Sequence, residues 1–180
     1  MDSINKNQPE ENHEDLRADR AAEKIKELIG KNKSCFFCTQ QKTGESEGVR
    51  PMSVQKIDDD GILWFLSPTD SHKNSELTMD PEVHLYFQGS THSDFLYLNG
   101  RASISTDKSK IKELWEPTLK TWFTEGENDP RISVIKVTPD NGYYWDTKHG
   151  NAIAAVKIMF GALVGKTFDD SIEGRVSLSK

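Results

Sequence analysis

From Asp15 onward the apolar residues follow two kinds of spacing. Leu16, Ala18, Ala21, Ala22, Ile25, Leu28 and Ile29 recur at three- and four-residue intervals, which marks one face of a helix closed by Gly30 and laid over one side of a sheet. The apolar residues then come in short β-like segments: Ser34 to Gln40, Val49 to Lys56, Ile62 to Leu66, Val83 to Phe87, Phe95 to Ile104, Ile132 to Val137, Gly142 to Trp145 and Ala152 to Met159. Asp58-Asp59-Asp60-Gly61 has the turn chemistry of an antiparallel hairpin between the second and third of these. Two helices interrupt the series, one from about Ser71 to Met79 and one from about Lys108 to Trp122, the latter bent or broken at Pro117. A doubly wound parallel sheet needs repeated βαβ units, and none is present. The pattern predicts a mainly β fold with flanking α-helices: an antiparallel barrel, closed or partly closed.

The length of 180 residues suits one domain that folds without staples. Residues 1–12 are polar and aperiodic and read as a disordered tail, residues 13–166 as the domain, and residues 167–180 as a C-terminal tail. A hydrophobic content of 34% is low because 13 of the first 27 residues are charged, which leaves normal core-forming density in the rest. The formal net charge of −6, without a basic run, disfavours nucleic acid as a partner. No apolar run reaches the ~18–20 residues that span a bilayer, and no basic segment precedes an apolar one at the start. A soluble, cytoplasmic protein is expected.

Few residues offer chemistry. Cys35 and Cys38 have C-x-x-C spacing, but within a strand their side chains point to opposite faces, and no second pair exists to complete a zinc site. They read as ordinary strand cysteines. His84, His92 and His149 fall in separate segments without metal-ligand spacing, so no metal is expected. Neither a nucleophile elbow nor a glycine-rich phosphate loop is present. In Val49-Arg50-Pro51-Met52-Ser53-Val54, the proline biases Arg50 toward an extended strand start. In Trp64-Phe65-Leu66-Ser67-Pro68-Thr69-Asp70-Ser71-His72-Lys73-Asn74, a strand ends at Ser67 and a helix begins near Ser71. The free N–H groups of a helix start attract anions, whereas Lys73 in that first turn opposes the macrodipole; either a bound phosphate compensates for it, or the segment is a polar turn with a capping serine. Trp115 and Trp122 share a helix face if the helix continues through Pro117, where they either pack in the core or wall a cavity.

Together these clusters resemble the general stress protein branch of the pyridoxamine 5′-phosphate oxidase-like superfamily of FMN-binding split barrels. The resemblance runs from about Leu16 to Lys166 through Arg50-Pro51-Met52, Trp64-Phe65, Ser71-His72-Lys73, Trp115, Trp122-Phe123, Asp129-Pro130 and Tyr144-Trp145-Asp146. It implies a split antiparallel β-barrel and a homodimer with flavin in two interface clefts. It also implies an FMN phosphate held by Arg50, Ser67, Ser71, His72 and Lys73, the isoalloxazine ring along the Pro51, Met52, Ser53 and Val54 strand, and Trp145 reaching the flavin. FAD presents the same ring and first phosphate, and the sequence does not separate the two.

Two departures bear on activity. His72 stands where the oxidases commonly have arginine, and the residues after Trp145 (Asp146, Thr147, Lys148, His149) lack the paired arginines that grip their substrate. Pyridoxamine phosphate oxidation is therefore not expected. The resemblance implies a stress-related flavoprotein, either an oxidoreductase working through flavin N5 or a non-catalytic protein that sequesters or senses a flavin; no catalytic acid or base stands out.

Overall fold

The computed structural model describes residues 12–43, 47–91, 93–148 and 170–178. After the short strand β1 (Leu16–Arg17), helix α1 (Ala18–Lys31) buries Ala21, Ala22, Ile25, Leu28 and Ile29, the face its spacing predicted. Strands β2 (Ser34–Thr39) and β3 (Val49–Ser53) form an antiparallel hairpin, and β4 (Lys56–Ile57) pairs with β5 (Leu63–Pro68). Helix α2 (His72–Met79), strands β6 (Glu82–Gln88) and β7 (Phe95–Ser105), helix α3 (Lys108–Leu114), and strands β8 (Ile132–Thr147) and β9 (Ser171–Ser177) complete the order.

The sheet runs β1-β9-β8-β7-β6-β2-β3, with β5 joined to β8 and β4 to β5. The first half of β8 pairs with β5 and its second half with β9, while β7 pairs along nearly all of it. The barrel is split at β3 and β4. These are successive pieces of one stretch, the first bound to β2 and the second to β5, and Val54 N–H donates to Lys33 O while Gln55 N–H donates to Trp64 O at the changeover. The fold is thus the expected split antiparallel barrel. No helix among the described residues is long and apolar enough to cross a membrane.

The inward residues of the strands, among them Phe37, Phe65, Leu85, Leu98 and Tyr144, form the main core with the apolar face of α1. A second cluster packs Ile111, Leu114, Leu119 and Phe123 against Leu66, Ile132 and Val134. Lys24 Nζ donates to Asp146 Oδ2 (2.7 Å), and Lys31 Nζ to Asp94 Oδ1 (2.5 Å), which fastens α1 to two buried carboxylates of the barrel.

Four expectations change. Ile132 to Val137 and Gly142 to Trp145 belong to one strand, because Pro139, which cannot donate to a ladder, sits at a register shift opposite Gly100. The helix expected to reach Trp122 ends at Leu114; a 3₁₀ turn starts at Pro117, so Trp115 and Trp122 do not share a face. Ser171–Ser177, expected as tail, is a strand between β8 and β1, since Gly174 and Val176 alternate inward. Asn12, placed in the N-terminal tail, is buried and its carbonyl accepts from Glu173 N–H. The strand expected at Ala152 to Met159, residues 1–11, and His92 and His149 lie outside the described residues.

Candidate functional site

The β2–β3 hairpin sets the first cation. Gly48 has φ +77°, and a Cβ there would lie 2.9 Å from the Thr39 carbonyl, so glycine is required for the chain to turn back against Thr39. Phe37 then pairs with Arg50, and both point inward. The Arg50 guanidinium closes as a fork on Glu76 of α2, Nη1 to Oε2 at 2.7 Å and Nη2 to Oε1 at 2.8 Å. Thr39 Oγ1 donates to Glu76 Oε2 (2.6 Å); the Thr43 N–H and hydroxyl donate to Oε1 (2.9 and 3.1 Å). Glu76 is wholly buried. Burial pushes its carboxyl up, but these donors, Arg50 foremost, prevail and hold it at about 2.

The second cation lies one turn earlier on α2. Ser71 caps the helix, its Oγ accepting from Asn74 N–H, and Ser67 ends β5 with its Oγ 3.1 Å from that of Ser71. Lys73 Nζ donates to Ser67 Oγ at 2.6 Å and is 5% exposed. Among the described residues no carboxylate lies within ion-pair distance of it. Burial, aided by the positive charge of Arg50, lowers the ammonium to about 8. Beside it, Asn74 donates to Ser133 Oγ at 2.7 Å while its buried Oδ1 has no partner. His72 is exposed at the rim, with Nδ1 3.4 Å from Thr43 Oγ1.

The structure therefore gathers Arg50, Ser67, Ser71 and Lys73 into one cradle with His72 at its edge. Of the strand residues expected along a ring, Val54 is core and Met52 packs against it, while Pro51 and Ser53 face outward. Trp145 lies elsewhere, on the outer face of the sheet. There Pro51, Phe36, Tyr86, Tyr97, Tyr143 and Arg175 stand in one cross-strand row from β3 to β9. Phe36, Pro51, Tyr86, Phe95, Tyr97 and Trp145 line a groove of about 580 Å³, and Phe36, Tyr86 and Trp145 are 59%, 49% and 43% exposed.

Three partners of the cradle, Thr39, Thr43 and Glu76, escaped the sequence reading. So did Arg175, which β9 brings opposite Tyr143 after a stretch in which no arginine follows Trp145. Cys35 and Cys38 are free; burial pushes the Cys35 thiol up to about 12, and Cys38 is only half-buried on the other face.

A family model for pyridoxamine 5′-phosphate oxidase-like proteins matches residues 20–169. The chain belongs to that family. Protein bli-3 of Neurospora crassa is 29% identical to it over 126 residues, which make up 65% of this chain and 60% of that protein, so the chain spans less than two thirds of that relative. A general stress protein 26 from Jannaschia sp. CCS1 superposes with a TM-score of 0.72 at 22% identity, over 86% of this chain and 96% of its own. A general stress FMN/FAD binding protein from Xanthomonas citri gives 0.58 at 22% identity, over 68% and 84%. At these identities the two structures share the fold. Within the family match, the marks Asp129 and Asp146 are structural here: Asp129 is buried and holds Arg131 through Oδ1 and Oδ2, and Asp146 anchors Lys24.

Proposed function

We propose that the protein binds FMN, with the phosphoryl end in the cradle, and works as a homodimer whose subunits meet over the aromatic groove. The observation that carries this reading is Lys73, a buried cation whose hydrogen-bond partner is a hydroxyl and which lies beside a second cation. Such a group favours an anion, and an ammonium with a guanidinium and two hydroxyls is donor chemistry suited to a phosphate monoester. The residues present fit the group: Lys73, Ser67 and Ser71 would hold the phosphoryl oxygens, and Arg50 would add a fork.

Family membership and the Xanthomonas citri neighbour described as FMN/FAD binding support a flavin as the remainder of the ligand. Strand β3 joins the two regions, since Arg50 turns into the cradle and Pro51 out into the groove. A planar aromatic ring fits the outer side, where Trp145 and Tyr97 offer stacking faces. When bound, a flavin supplies electron or hydride transfer at N5; the chain supplies binding, orientation and exclusion of water. A second copy is the covering that the exposed aromatic row favours.

Titration of the ligand-free protein with FMN and with riboflavin, followed by flavin fluorescence, tests the reading. FMN is expected to bind at least tenfold more tightly than riboflavin; equal affinities would remove the phosphate from the cradle. Turnover of the loaded protein with a nicotinamide donor separates an oxidoreductase from a sequestering protein.

A further inference from the structure

Arg50 already has an anion. The Glu76 carboxylate sits in its guanidinium fork in the bidentate arrangement that a phosphoryl group would adopt. Yet Glu76 does not depend on Arg50 for its hydrogen bonds. The Thr39 hydroxyl and the Thr43 N–H and hydroxyl supply three donors from the β2–β3 hairpin, at 2.6 to 3.1 Å. Arg50 retains 15% exposure of its side chain, against none for Glu76, so Arg50 is the more exposed member of the pair. Lys73, by contrast, has no carboxylate partner among the described residues and contributes the net positive charge of the cluster.

We infer that Glu76 is the resident counter-anion of the cradle: it occupies the Arg50 fork in the ligand-free protein, and a phosphate monoester takes Arg50 over while Thr39 and Thr43 keep Glu76 satisfied. This rests on the cradle being the phosphate site. It makes Glu76 a positioning residue that trades ligand affinity for stability of the empty protein. A part-buried arginine whose charge has no counter-ion is destabilising, and the internal carboxylate removes that cost until the ligand arrives. Every phosphorylated ligand must then compete with Glu76 for Arg50, whereas no carboxylate among the described residues competes for Lys73. At neutral pH the competition is permanent, because the donors around Glu76 keep it ionised.

The test is Glu76→Gln, which keeps the shape and, at its amide oxygen, the Thr43 contacts, while it withdraws the charge and reverses the Thr39 contact, the amide nitrogen donating to Oγ1. FMN affinity is expected to rise about tenfold to a hundredfold, the range of one hydrogen bond to a charged group, while riboflavin affinity stays unchanged. The ligand-free melting temperature should fall, and FMN should raise it by more than in wild type. Unchanged or weaker FMN binding by a folded variant overturns the inference and makes Glu76 a plain support for Arg50. If wild type and variant bind FMN no better than riboflavin, it is the phosphate site itself that fails.

A measurement on the wild-type protein stands beside the variant should it not fold. With sequence-assigned ¹⁵N arginine and ¹³C glutamate side chains, saturation with FMN should move the Arg50 and Glu76 signals together, and saturation with riboflavin should leave them in place. An Arg50–Glu76 hydrogen bond that persists at FMN saturation overturns the inference.

Discussion

The cradle and the aromatic groove lie on opposite faces of strand β3, and each meets a different physical problem. The cradle buries charge, which is costly unless every group is partnered, and it succeeds by internal compensation: Arg50 on Glu76, Glu76 on two threonines, Lys73 on Ser67. The groove leaves apolar rings in water. Among the described residues nothing covers Phe36, Tyr86 or Trp145, and under the proposed reading a flavin ring or a second subunit would relieve that exposure. The first region thus lacks only a counter-charge for Lys73 and a donor for Asn74 Oδ1, whereas the second leaves a row of rings uncovered among the described residues. Loss of ligand affinity and loss of assembly should accordingly be separable by mutation.

The largest separation is expected from Arg50→Ala combined with Lys73→Ala. Hydrogen bonds to charged groups contribute ~1.5–3 kcal/mol each, so FMN should weaken by roughly a hundredfold to ten-thousandfold with riboflavin unaffected, as read by fluorescence titration. Because Arg50 must be taken from Glu76, Lys73→Ala alone should account for the greater part. Equal weakening of riboflavin would show that the cations support the ring or the fold.

On the groove side, Phe36→Asp places a charge in the middle of the aromatic row. On the proposed homodimer, burying it against a second copy should cost ~2 kcal/mol or more, and the dissociation constant measured by sedimentation should rise about thirtyfold. The melting temperature of the dilute protein should hardly move, as Phe36 is 59% exposed. A variant that sediments like wild type places the subunit contact elsewhere.

A pH titration sharpens the cradle alone. Lys73 is lowered to about 8 from an ordinary value of 10.5, so the unfolded chain holds its proton more tightly than the folded one. Stability of the ligand-free protein should therefore rise as pH climbs from 8 toward 10.5, the window in which only the unfolded chain stays protonated. FMN affinity should do the reverse, falling about tenfold between pH 7 and 9 as the cation disappears. Lys73→Met should flatten both curves, while assembly through the groove ignores them. The smallest effect belongs to Trp122→Ala. This side chain is 66% exposed and outside both regions, and its loss should change stability by no more than ~0.5 kcal/mol and affinity not at all.

The two regions also differed in how far the sequence revealed them. Periodicity recovered α1 and the inward alternation of the strands, because burial of one face is a local pattern. Ser71, Lys73 and Arg50 stood out in the sequence because a cap, a misplaced cation and an X-Pro strand start are short-range signals. Glu76 gave none: a glutamate on a short polar helix looks solvent-facing, and only the tertiary approach of β3 makes it a buried partner. Thr39 and Thr43 were hidden for the same reason. Pro139-Asp140-Asn141-Gly142 imitated a turn because a register shift and a turn draw on the same residues. The alternation Ile172, Gly174, Val176 was a readable strand signal in β9, obscured by the glycine and the charges between. The aromatic row was legible only residue by residue, since register across six strands is set by long-range pairing.

The sharing of β8 among three neighbours governs how the chain comes to be folded at all. β5 has only the two residues of β4 to pair with until Ile132–Val137 exists, and β1, the first strand, docks on β9, the last. The pairings of β5 with β8, β2 with β6 and β1 with β9 therefore join distant parts of the chain, a topology associated with slow, millisecond-to-second folding. During synthesis, the apolar segment around Leu63 and Phe65 would leave the ribosome long before its partner strand, and for that interval its unpaired edge and apolar face would stay exposed.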